Sequence, residues 1–113
     1  MKAEVLKGHL EGMLLAVLET GEQHGYAIVE ELKARSGGHI ALPTGTVYPA
    51  LHRLETAGLI AGRWSVHGGR RRRSYELTRA GRRALKEQRS SWREFTSVVS
   101  GVMGVEPGWT VTP

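Results

Sequence analysis

The sequence predicts a mainly α fold with a two-stranded β-hairpin past its middle and a long helix after it. Three observations predict this. Apolar residues recur at helical spacing up to residue 58, and the apolar period then shortens from about 3.6 residues to about 2 across "LIAGRWSVHGGRRRRSYELT". A heptad-like seam follows at residues 85–102. At 113 residues the chain is expected to be a single unit with a core of modest size, so an element too long for that core needs a partner chain.

In "LKGHLEGMLLAVLE" the residues Leu10, Met13, Leu14, Val17 and Leu18 share one face of an amphipathic helix, which "TGEQHG" ends as a turn. A second helix follows in "YAIVEELKARS", where Ile28 and Leu32 share a face that Tyr26 and Val29 widen. After the break at "GGHIALP", "TGTVYPALHRLETAG" is a third helix with Val47, Leu51 and Leu54 on its buried side. Thr44 or Thr46 can cap it, and Pro49 favours Thr46, because a proline costs little in a first turn. Gly58 stands where a left-handed C-terminal residue is wanted. The outer side of this helix carries Tyr48, His52 and Arg53, groups able to bond a base edge or a phosphate.

In the hairpin Ile60, Trp64 and Val66 share one parity, and on the return limb Tyr75 and Leu77 share the inward one. Gly68-Gly69 supplies the positive φ of a tight turn, which places Arg70 and Arg71 at the tip. Thr78 caps the last helix, in which Leu85, Gln88, Trp92, Phe95, Val99 and Val102 form the seam. From Arg79 to Met103 that helix runs roughly 37 Å, longer than so small a domain is wide, so its outer half is expected to pack on another subunit. The expected organisation is residues 1–78 as a winged helix-turn-helix, 79–103 as a C-terminal dimerisation helix and 104–113 as an irregular tail, in which Trp109 could dock locally.

Charge is unevenly placed. Residues 1–62 balance to −2, while residues 63–93 carry eleven basic residues against Glu76 and Glu87. That concentration suits a polyanion binder, although a solvated basic surface has the same composition. Without cysteine there is no disulfide, zinc-thiolate site or cysteine nucleophile. The five histidines are scattered without carboxylates beside them, so no metal or cofactor is expected, and no phosphate-cradling loop or catalytic constellation points to an enzyme. "MLLAVL" is too short for a membrane span, and a cytoplasmic protein is expected.

Three helices followed by a two-stranded hairpin is the order of a winged helix-turn-helix, whose third helix enters the major groove while the hairpin lies along the backbone. The DNA-contact candidates are therefore Thr44, Thr46, Tyr48, His52 and Arg53 with Arg70, Arg71 and Arg72. Tyr48 has a competing place as a half-buried aromatic closing the core. Arg73 ranks last among the arginines, because its parity is that of Tyr75.

"LKGHLEGMLLAVLE", "HGYAIVEEL", "GTVYPALHRLETAGLI" and "RRRSYELTRAG", in that order and at those separations, resemble the PadR family of bacterial transcriptional regulators over residues 6–95. The resemblance implies a homodimeric repressor of the smaller subfamily, bound to double-stranded DNA at a pseudo-palindromic operator. Its last helix, with the first, would make the dimer interface. It also implies a small aromatic or apolar effector held between subunits, with Trp92 lining the site. Leu14, Leu85, Gln88, Trp92, Phe95 and Val99 are the interface and effector candidates. Two alternatives stay open: a winged-helix module for protein or RNA contact, and a small-molecule-binding protein with no role on DNA.

Overall fold

The computed structural model describes residues 1, 3–6 and 8–106. Its elements are α1 (Ala3–Leu6), α2 (Leu10–Leu18), β1 (Gln23–His24), α3 (Gly25–Arg35), α4 (Thr44–Thr56), β2 (Ile60–His67), β3 (Arg70–Leu77) and α5 (Arg79–Met103). α2, α3, α4, the hairpin and the long last helix stand where the sequence puts them, while α1, a single turn ahead of them, is marked by no apolar period. The sheet has three strands rather than two, in the order β1-β3-β2. β1 pairs Gln23 with Tyr75 and His24 with Ser74. Two residues inside a turn-rich stretch are too few to show a strand's alternation, which is why the sequence hides β1.

The core is the meeting of α2, α3 and α4 with the base of the hairpin. Leu14, Leu15, Leu18, Ile28, Leu51 and Ile60 are almost wholly removed from solvent, each contributing about 2 kcal/mol by transfer. The expected apolar face of α3 is narrower than its spacing suggests, since Tyr26 is exposed. Trp64 also departs from the inward alternation and is 56% exposed, because the core ends at Ile60, Tyr75 and Leu77 at the base of the wing.

α4 begins one residue after Pro43, which serves as its N-cap without any side-chain cap. Thr46 is therefore not the cap: its backbone N–H already donates to the Pro43 carbonyl at 3.0 Å. Pro49 consequently lies inside the helix, and Gly45 loses the donor its carbonyl would have had there. Gly58 adopts the expected left-handed conformation at φ 76° and closes the far end.

Thr78 caps α5 as expected, accepting from the Gly81 N–H at 3.0 Å while its hydroxyl donates to the Gly58 carbonyl at 2.7 Å. A Cβ at Gly81 would sit 2.0 Å from the Leu59 carbonyl oxygen, so only glycine lets α5 start against the link between α4 and β2. Past Leu85 the helix leaves the core, and Trp92, Phe95, Val98 and Val102 are exposed. Gly104 ends it at φ 72°, and Trp109 lies outside the described residues.

Candidate nucleic-acid interface

The Gly68-Gly69 turn has both residues at positive φ, 59° and 77°, and pairs His67 with Arg70 directly. Such a turn matches the twist of its strands and holds the tip in one geometry. Arg70, Arg71 and Arg72 are all exposed, and among the described residues no carboxylate pairs with them. Strand parity divides them. Arg70 and Arg72 stand with His67 and Ser74 on one face, and Arg71 with Trp64 and Val66 on the other.

Arg71 lies over the Trp64 ring at 4.6 Å from its centroid, and Arg73 lies over the same ring at 5.3 Å. Trp64 thus serves as a platform for the wing's cations, a role sequence parity does not reveal. Arg73 also donates to the Glu55 carboxylate on α4, half-buried at the joint between wing and helix. Its inward parity, shared with Tyr75, is the sequence signal for that position.

The wing is tied down a second time by Arg63, which donates through Nε and Nη2 to Glu22 at 2.7 and 2.6 Å. These bonds hold the Glu22 carboxyl below the ordinary carboxylate value and raise the Arg63 guanidinium. Arg63 reaches Glu22 across the row it shares with Ser74 and His24, where a small serine leaves room. His24 caps α3, its Nδ1 accepting from the Ala27 N–H at 3.4 Å. Burial pushes the His24 pKa down, and Arg72 and His67 push the same way.

On α4, Thr44, Thr46, His52 and Arg53 are exposed. Arg53 turns toward α2, with Nε 3.6 Å from the Glu11 carboxylate, so it stands at the flank of the helix's outer face. Tyr48 is 41% exposed, and its ring covers Gly25 so closely that a Cβ there would lie 2.4 Å from Cε1. Tyr48 thus packs its ring on the start of α3 while remaining open to solvent on the rest of its surface.

A groove of about 620 Å³ runs between α1, α2 and α5. Leu85, Gln88 and Trp92 line it together, and Trp92 meets His9 edge-on at 4.9 Å between ring centroids. Gln88 lies against Gly12, where a Cβ would be 2.8 Å from its Oε1. Phe95 sits 5.9 Å from Trp92 but, like Val99, does not line the groove. Leu14 does not belong to the groove or an interface: it is wholly buried in the core, and the residues α2 offers to the groove are Gly12, Met13 and Ala16. Among the described residues no three His, Cys, Asp or Glu side chains gather as a metal site, and no helix is long and apolar enough to cross a membrane.

A sequence model of the Transcriptional regulator PadR-like family matches residues 14–87. Over 80 residues, 71% of this chain and 72% of the relative, the sequence is 44% identical to the transcriptional regulator Rv3488 of Mycobacterium tuberculosis (strain ATCC 25618 / H37Rv). The fold superposes on a PadR family transcriptional regulator from Eggerthella lenta with TM-score 0.81 at 30% identity, covering 91% of this chain and 88% of that one. It also superposes on Bacillus subtilis PadR in complex with operator DNA, with TM-score 0.65 at 28% identity, over 71% of this chain and 46% of that one.

Proposed function

Because the chain belongs to the PadR-like family of transcriptional regulators, we propose that it is a homodimeric, sequence-specific DNA-binding repressor acting in the cytoplasm, released from its operator by a small aromatic or apolar effector. The observation that carries this reading is the cationic tip of the wing. Arg70, Arg71 and Arg72 project from a turn of fixed geometry, free of carboxylate partners among the described residues, beside the exposed face of α4. A polyanion is the natural counterpart of three such guanidinium groups.

In this reading α4 enters the major groove with Thr44, Thr46 and His52 foremost. Tyr48 offers its exposed edge, and Arg53 contacts the flank while shared with Glu11. The wing lies on the adjacent backbone, with Arg70 and Arg71 leading and Arg72 beside them. Phosphate contacts fix register, and base edges met by α4 give specificity. Two chains join through the outer half of α5, where Trp92, Phe95 and Val102 are exposed. Two-fold symmetry then places the recognition helices about one helical turn apart, on a nearly palindromic site. Ligand in the groove beside Trp92 alters that spacing. The role is regulation through DNA rather than catalysis.

The test is an operator titration with DNA upstream of the chain's own gene and its neighbours, using native protein and the Arg70→Ala/Arg71→Ala double variant. Loss of affinity together with a shallower salt dependence supports the reading. Unchanged binding, or preference for RNA or a protein partner, removes it.

A further inference from the structure

Outward of Gly62 the two faces of the wing differ in chemistry. Trp64, Val66, Arg71 and Arg73 alternate onto one face, and Ser65, His67, Arg70 and Arg72 onto the other. The first face looks toward α4, because Arg73 on it reaches Glu55. Trp64 and Val66 on that face are 56% and 72% exposed, and residues 63–73 include no acid. Two guanidinium groups share the Trp64 ring: Arg73, its direct cross-strand partner, at 5.3 Å from the centroid, and Arg71, its diagonal neighbour, at 4.6 Å. Among the described residues neither Arg70 nor Arg72 stacks on a ring. A continuous series of contacts therefore runs from α4 to the wing tip through Glu55, Arg73, Trp64 and Arg71.

We propose that this face of the wing receives one sugar–phosphate unit of DNA and that Trp64 is its positioning residue. Trp64 holds Arg71 at a set place relative to α4, the phosphate sits on Arg71, and the deoxyribose rests on Val66 and the free part of the indole. This rests on the DNA-binding reading and deepens it, since it separates the one tip arginine with a fixed position from two without. Stacking engages the flat face of a guanidinium and leaves its N–H edge free to grip phosphate oxygens. A free arginine loses its rotamer freedom on contact, whereas one already stacked loses less.

The occupant follows from the pairing of chemistries on the face. An exposed apolar strip lies beside a cation with no acid near it, and a nucleotide backbone repeats that pairing with its apolar sugar edge next to an anionic phosphate. Such a contact carries no sequence information, yet it fixes the register in which a recognition helix meets the bases. With Arg71 tied through Trp64 and Arg73 to Glu55 on α4, that register is built into the folded chain.

The test measures the cost of Arg71→Lys in three backgrounds, the native chain, Trp64→Phe and Trp64→Leu. Each full chain is titrated by fluorescence anisotropy with two labelled duplexes, the DNA upstream of its own gene and an unrelated duplex of equal length. Trp64 lies outside the core, so both variants should fold, and thermal melts check this. In the native chain Arg71→Lys should weaken both duplexes about fivefold, because lysine lacks the flat face that stacks. Trp64→Phe should keep most of that loss, and Trp64→Leu should reduce it to under about twofold. Trp64→Leu alone should weaken binding about fivefold while keeping the native salt dependence, since it removes no charge. Arg70→Lys should cost the same in all three backgrounds. An Arg71→Lys loss equal in every background, as a merely structural Trp64 would give, or a stronger coupling of Trp64 to Arg70 than to Arg71, would overturn the proposal. Preference for the upstream DNA without the coupling removes this inference alone. Coupling on both duplexes without that preference supports it and removes sequence-specific regulation, and a folded native chain that binds neither duplex at low salt removes both.

Discussion

Arg73 on β3 donates to the carboxylate of Glu55 on α4, and each side chain is 27% exposed. The wing is thereby pinned to the helix whose outer face it flanks. Gly62 makes this pairing feasible, since a Cβ there would lie 2.8 Å from Arg73 Nη2 and 2.9 Å from Glu55 Oε2. One of four consecutive arginines is thus consumed inside the protein, and the other three are left for solvent or a ligand.

Arg73→Ala should therefore cost stability without changing the ionic character of DNA binding. We expect a loss of about 1–2 kcal/mol in urea unfolding, and a coupling of at least about 0.5 kcal/mol with Glu55→Ala in a double-mutant cycle. An additive cycle would mean that the pair holds nothing in place.

Gly25→Ala should destabilise through one neighbour. The helical backbone accepts alanine, but the added methyl meets the Tyr48 ring, and overpacking of this kind costs about 1–3 kcal/mol. Tyr48→Ala in the same chain removes the obstruction, so Gly25→Ala introduced into Tyr48→Ala should be neutral or stabilising in thermal melts. Equal losses in both backgrounds would contradict the contact.

The His24 cap predicts a pH dependence near neutrality. The folded-state pKa lies below the ordinary value of about 6.5, so the unfolded chain binds a proton that the folded chain resists. The cap's contribution is complete above about 6.5 and declines as pH falls from there through the folded pKa. His24→Asn supplies a cap that does not titrate, and its urea midpoint should fall less over that window than the native midpoint. Parallel curves would exclude His24 as the source.

The exposed half of α5 predicts self-association. Phe95→Glu and Val102→Asp place charge where Phe95 is 55% and Val102 84% exposed, so neither should disturb the fold of one chain. Sedimentation should find native chains paired and the variants shifted toward monomer at the same concentration. Native chains that sediment singly at micromolar concentration would remove the dimer from the account.

The periodic elements were legible in the sequence because each writes its own burial pattern: Val47, Leu51 and Leu54 on α4, Tyr75 and Leu77 on β3, Thr78 ahead of α5. What escaped depends on pairs far apart in the chain. Arg63 meets Glu22 across 41 residues and Arg89 meets Glu19 across 70, separations that no local spacing encodes. Leu14 and Met13 are neighbours on the apolar side of α2, and only the packing decides that Leu14 faces the core while Met13 faces the groove. Trp64 had the right parity for burial and lies where the core has already ended. Of the site, the wing tip was readable from Gly68-Gly69 and the arginines after it. The turning of Arg53 toward Glu11 and the covering of Gly25 by Tyr48 were not.

The most direct test of the central claim is the salt dependence of operator affinity for the native chain, Arg70→Ala and Arg71→Ala, with Arg73→Ala as the control. If the wing tip neutralises phosphates, log K should fall linearly with log salt, and the slope should lessen by about 0.9 for each tip arginine removed. Arg73→Ala should keep the native slope, since its guanidinium is engaged by Glu55. Native slopes in Arg70→Ala and Arg71→Ala, with affinity unchanged, would contradict the assignment of the wing as a DNA-binding surface.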